Sequence, residues 1–151
     1  METALDNDGR QMVWLGVPWE KTYGYAQAVR VKNTIYVSGQ LSHDASGNLV
    51  GSASLDRSGG TPDESNMELQ MRTTYANAAK VLARFGAGLQ HVVEEVLYVT
   101  DMDAAFAVAG AVRKVAYGGD TPHCASTIAQ VTRLAFPQQL IEIRFTAVLP
   151  D

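Results

Sequence analysis

Glu142 is the side chain in this sequence best placed for proton chemistry. It interrupts the apolar run Ile141-Glu142-Ile143 near the C-terminus. A carboxylate there can orient water or shuttle a proton, and the simpler reading is a solvated residue paired with Arg144 or a neighbouring strand. His123-Cys124 sets an imidazole beside a thiol. Adjacent residues on an extended segment point to opposite faces, so the two do not read as base and nucleophile. A lone cysteine is also more often an inert, half-buried side chain. The three histidines, His43, His91 and His123, lie far apart without ligand spacing, and no metal is expected. Phosphate-binding glycine loops, H-E-x-x-H and G-x-S-x-G are all absent, which leaves no P-loop, zincin or nucleophile-elbow reading.

Several elements must position these groups. Strict alternation over residues 139–149, with Ile141, Ile143, Phe145, Ala147 and Leu149 on one face, predicts a strand. Residues 126–131 and 92–99 predict two more, the second apolar on both faces with Glu94 and Glu95 one on each. Val29/Val31 and Ile35/Val37 form a hairpin pattern around Lys32-Asn33, with Asn suited to the positive φ of a tight turn. Met12 to Leu15 reads as another strand, and Pro18 interrupts the chain beyond it. Residues 42–61 are rich in Gly, Ser and Asp and predict a surface connection with a short strand at Asn48–Val50.

Capping boxes at Thr61-Pro62-Asp63-Glu64 and Ser65-Asn66-Met67-Glu68 announce a helix. Met67, Met71, Tyr75, Ala78, Leu82 and Phe85 form its stripe, and Gly86 and Gly88 end it. Thr100 or Asp101 caps a second, alanine-rich helix that Gly118-Gly119 stops. The order of elements predicts an α+β sheet with helices on one face.

The chain has 151 residues, 46% apolar and 19% charged, with a net charge of −4. That is one domain with a real core, too apolar for disorder. The acidic balance argues against a nucleic-acid partner. One cysteine excludes an internal disulfide. No signal peptide or apolar membrane span is evident, so the expected location is cytoplasmic.

Gly24-Tyr25-Ala26-Gln27-Ala28-Val29, Ile35-Tyr36-Val37-Ser38-Gly39-Gln40 and Ile141-Glu142-Ile143, with Gln70, Asn77, Leu82, Gly86, Val92-Val93 and Asp101 between them, resemble the Rid (reactive intermediate deaminase, or YjgF) family. The match runs from about residue 24 to 148. The resemblance implies a chorismate-mutase-like fold: a twisted mixed sheet backed by two helices, in a homotrimer with clefts between subunits. It implies hydrolysis of enamines or imines to 2-keto acids and ammonia, without metal or bound cofactor. It assigns Glu142 to the attacking water and Tyr25 to the cleft wall. Ser38 and Gly39 would orient substrate.

The family's carboxylate-binding arginine falls on Ser126, or on Thr127 in an ungapped alignment, and no Lys or Arg stands between Lys114 and Arg133. Serine offers no charge and one donor where arginine offers five. The chain thus resembles a divergent member. Three activities are compatible with the resemblance: a hydrolase or deaminase for a substrate without an α-carboxylate, or for one held differently, with Glu142 still handling water; a site rebuilt around His123, Cys124 or Ser126 for chemistry such as tautomerisation; and a trimeric ligand-binding protein without turnover. Residues 1–23, with Trp14, Pro18 and Trp19, are an N-terminal extension that covers the cleft or extends the sheet; residues 24–151 are the Rid-like domain.

Overall fold

The computed structural model describes residues 1–60 and 62–151. Among them are seven strands: β1 (Glu2–Leu5), β2 (Gln11–Trp14), β3 (Ala28–Val31), β4 (Thr34–Gln40), β5 (Val92–Val99), β6 (Ala125–Gln130) and β7 (Ile141–Val148). Three α-helices accompany them: α1 (Pro18–Tyr23), α2 (Met67–Ala83) and α3 (Met102–Tyr117). The sheet runs β1-β2-β3-β4-β7-β5-β6. Every pairing is antiparallel except β5 with β6, joined through α3. A parallel pair needs such a crossover, and it makes the sheet mixed, as expected.

Alternation along β7 decides which face meets the helices. Ile141, Ile143, Phe145 and Ala147 are buried, and Phe145 packs edge-on against Tyr75 of α2, with ring centroids 5.8 Å apart. The α2 stripe Met67, Met71, Tyr75, Ala78, Leu82 and Phe85 is buried as predicted. Even-numbered β7 residues, Glu142 and Arg144 among them, point to the other, open face.

The structure corrects several local expectations. The hairpin turn forms between β3 and β4, but Lys32, at φ 53°, takes the left-handed conformation expected of Asn33. α2 begins later than the capping boxes imply. Asp63 caps a short 3₁₀ turn over Glu64–Asn66, and Asn66 precedes α2 without a side-chain cap. The expected cap on Thr61 lies outside the described residues. Asp101 caps α3, accepting from the Ala104 amide at 2.7 Å. Its alanines divide: Ala105 is buried, while Ala107 and Ala111 face solvent. Pro18 starts a helix rather than interrupting the chain, and Gly24 closes it in the left-handed region at φ 70°, the usual Pro-first, Gly-last arrangement.

Candidate functional site

β7 carries Glu142, and a bulge in β4 makes room for it. Val37 pairs with Phe145 and Gln40 with Ile143, so β4 spends one residue more than β7 over that stretch. The extra residue falls at Ser38-Gly39. A Cβ on Gly39 would stand 2.1 Å from Glu142 Oε1; only glycine lets the carboxylate lie against this strand. Gln139, fully buried, donates from Nε2 to the Ile141 carbonyl at 3.1 Å and to Glu142 Oε2 at 3.2 Å. Burial pushes the Glu142 carboxyl above its usual range, and the Gln139 hydrogen bond offsets part of that. A carboxyl raised this way is a better proton acceptor near neutrality than a solvated one.

The carboxylate faces a cavity of about 260 Å³, whose walls include Trp19 and Tyr23 of α1, Tyr25, Ser38, Gly39 and Phe136. Trp19 is wedged edge-on between Phe136, 5.7 Å away, and His43, 5.2 Å away, by ring centroids. The Tyr25 phenol is pushed up by burial first and then by the negative charges of Glu20 and Glu142; it stays a neutral donor. Ser38 ties this wall to the sheet: its hydroxyl donates to the Ala26 carbonyl at 2.8 Å and its amide to the Gln27 carbonyl at 2.8 Å.

Two polar helix residues hold the loops around the site. Gln70 Nε2 donates to the Gly51 and Gln138 carbonyls, and its Oε1 accepts from the Leu140 amide at 2.9 Å, just before β7. Asn77 Nδ2 donates to the Leu41 and His43 carbonyls. Residues 42–53 therefore form a packed buttress under Trp19, with Ser42, His43 and Ala53 buried, while residues 56–60 are exposed. Leu49 bridges to His43, where a short strand was expected. In the N-terminal segment β1 and β2 add two strands to the sheet, and Trp19 and Tyr23 line the cavity.

Glu142, Tyr25, Ser38 and Gly39 thus meet in one cavity within a single chain. The 123–127 segment stands elsewhere. His123 is exposed beside Pro122 and Tyr117. Cys124 precedes β6, and its sulfur accepts from Arg113 Nη2 at 3.6 Å. Ser126 is opposite Glu95, which is opposite Phe145. That register aims it at the helices, and its hydroxyl donates to Glu95 Oε1 at 2.8 Å. Within one chain, strand parity thus puts Ser126, the residue at the expected arginine position, on the face opposite to Glu142. Thr127 is opposite Val96, itself opposite Arg144, so Thr127 shares the open face with Glu142.

Sequence reasoning missed the role of a fully buried and heavily bonded carboxylate, Glu95. It is fully buried, accepts from the hydroxyls of Tyr75 at 2.8 Å and Tyr117 at 2.6 Å as well as Ser126, and lies 2.6 Å from Arg113 Nε. Desolvation and then the Glu95 charge push the Tyr75 phenol up; on Tyr117 the Glu95 hydrogen bond comes second to desolvation. Pattern alone gave Glu94 and Glu95 opposite faces but not which one the helices cover. Tyr98, directly opposite Glu142, was also missed, since its nearness depends on β5 lying beside β7.

A family model described as Endoribonuclease L-PSP matches residues 19–149. Rv2704 from Mycobacterium tuberculosis, a YjgF/YER057c/UK114 family member, is 27% identical over 93% of this chain and 100% of its own, with a TM-score of 0.73. A putative endoribonuclease from Thermotoga maritima is 26% identical over 100% of both chains, with a TM-score of 0.70. E. coli TdcF with bound serine shares the fold at a TM-score of 0.66 and 20% identity, covering 83% of this chain and 88% of that one.

Proposed function

The chain belongs to the YjgF/Rid family, whose model is described as Endoribonuclease L-PSP, and on that premise we propose that it hydrolyses a small enamine, imine or related reactive metabolite. The observation that carries this reading is the Glu142 carboxylate. It is desolvated, held by Gln139 and laid across Gly39 at the wall of a small aromatic cavity. In the proposed reaction Glu142 accepts a proton from water as the water oxygen bonds to the imine carbon. That proton passes to nitrogen, giving a carbinolamine; Glu142 then takes the proton of the new hydroxyl and delivers it to nitrogen as the carbon–nitrogen bond breaks, so that a carbonyl compound and ammonia leave. Tyr25 and Trp19 shape the cavity, and Ser38 fixes the Tyr25 segment. The fold relative TdcF holds serine, a ligand of matching size.

His123, Cys124 and Thr127 lie outside this cavity within one chain. In the proposed homotrimer they would meet a neighbour's cleft. The test generates 2-iminopropionate in situ and measures ammonia release. Weak acceleration by the protein, as fits a chain without an arginine at the family's position, abolished in Glu142→Gln while ligand affinity stays nearly unchanged, is the expected result. No acceleration by the intact oligomer would overturn the imine reading, and full activity in Glu142→Gln would overturn the role of Glu142.

A further inference from the structure

The cavity around Glu142 is aromatic and negative at once. Trp19, Tyr23, Tyr25 and Phe136 stand in its wall, and Glu142 is the charged side chain among them. A second carboxylate lies close by. Glu20 is 4% exposed, and its oxygens accept from the Leu15 and Gly16 amides at 2.7 Å and 2.9 Å. Those donors are neutral, so they hold the carboxylate without cancelling its charge. Both carboxylates act on Tyr25, whose phenol is pushed up by burial first, then by Glu20 and then by Glu142.

Nothing in the cavity offsets these charges. Among the described residues, none in its wall is a Lys or Arg. Arg144, two residues on along β7, is exposed and outside that wall. The ion pairs among the described residues involve neither Glu20 nor Glu142. A neighbour in the proposed trimer brings the same sequence, which has no Lys or Arg over residues 115–132. An anionic group placed here would face a like charge in a partly desolvated site, which disfavours it. A basic nitrogen would face an opposite charge.

From this geometry we infer that the site takes a small amphipathic ligand without a carboxylate, its basic nitrogen at Glu142 and its apolar group among Trp19, Tyr25 and Phe136. This rests on the function proposed above and narrows its substrate class to carboxylate-free imines of apolar or aromatic carbonyl compounds. A charge-assisted hydrogen bond to the carboxylate holds the nitrogen. Aromatic side chains take the apolar part, and a ring face also attracts a nearby cation. The same reasoning accounts for the weak acceleration expected with 2-iminopropionate, which carries a carboxylate beside its reacting carbon.

The experiment measures binding, not turnover. Benzylamine, benzyl alcohol and phenylacetate are a cation, a neutral molecule and an anion on one aromatic frame. Each is titrated calorimetrically into the wild-type chain, Glu142→Gln and Phe136→Ala. Wild type should bind benzylamine about 10-fold more tightly than benzyl alcohol, and phenylacetate most weakly. Glu142→Gln should remove the preference for the amine and leave the alcohol unchanged. Phe136→Ala should weaken amine and alcohol by a similar factor. Benzylamine bound no more tightly than benzyl alcohol by wild type, or equally by wild type and Glu142→Gln, would overturn the proposal. Tighter binding of phenylacetate than of benzylamine, together with imine turnover, sinks the ligand class alone. Glu142-dependent amine binding without turnover of any imine sinks the hydrolase reading and leaves the amine site standing.

Discussion

Gly39→Ala adds a single carbon, aimed at Glu142 and not at the fold. The new Cβ would lie 2.1 Å from Oε1, 2.6 Å from Cδ and 2.8 Å from Cγ of Glu142. Gly39 is not among the positive-φ glycines, so its backbone accepts alanine. Reduced freedom in the unfolded chain should even offset part of any clash, by about 0.4–1 kcal/mol. The side chain is what must give. Restoring an ordinary carbon–oxygen contact moves Oε1 by about 1 Å, and a misplacement of that size costs roughly 100-fold in rate. The same movement disturbs the 3.2 Å contact from Gln139. The assay is kcat for ammonia release from an imine generated in situ, with a thermal melt on the same preparation. A roughly 100-fold fall with a nearly unchanged melting temperature is expected. Gly110→Ala is the control, since its Cβ would meet nothing within 4 Å. If kcat in Gly39→Ala stays within about 3-fold of wild type, where 100-fold is expected, the reasoning that Gly39 exists to seat a catalytic carboxylate is wrong.

Two further perturbations separate the half-buried Glu142 from the fully buried Glu95. Burial raises the Glu142 carboxyl, so the group favours the folded state below its unfolded pKa, and that contribution is lost as pH rises through the folded one. Glu142→Gln should thus melt higher than wild type near neutral pH, with the gap closing toward about pH 4; an offset independent of pH would contradict this. Glu95→Ala strands Arg113 and three hydroxyl donors. Breaking a buried ion pair costs about 3–5 kcal/mol, and the low end is expected because the Arg113 side chain remains 25% exposed. Urea unfolding at constant m-value measures the loss, and one below about 1 kcal/mol would show the cluster is not a stabilising hub.

Much of this fold was legible because burial writes itself as period. β7 alternates without a fault, and the α2 stripe recurs at helical steps. Glu142, Tyr25, Ser38 and Gly39 were picked out by resemblance, and they do share a cavity. What escaped was parity between strands. β6 reads exposed-exposed-exposed before any burial, so nothing in its own pattern says that Ser126 faces the helices. Only its pairing with Glu95 reveals that, a residue 31 positions away. Glu95 itself looked like an interruption of a strand, since a charge is costly in a core unless partners come with it, and its partners come from α2, α3 and β6. The short helix α1 left a signal, Pro18 at its start and Gly24 at its end, but six residues are too few for a periodic stripe.

The extra residue in β4 has a consequence for which length changes this chain can tolerate. Ile35, Val37 and Gln40 are all buried, and they stand opposite Ala147, Phe145 and Ile143, so the residues on both sides of the bulge are already in phase with β7. Removing one residue at Ser38-Gly39 would make the ladder regular and leave those faces as they are. What it would remove is the hollow in which the Glu142 carboxylate lies against Gly39. A one-residue deletion there changes the site and spares the core. In the turn at residues 56–60, which is exposed throughout, the same change would shorten only a connection and leave the site untouched.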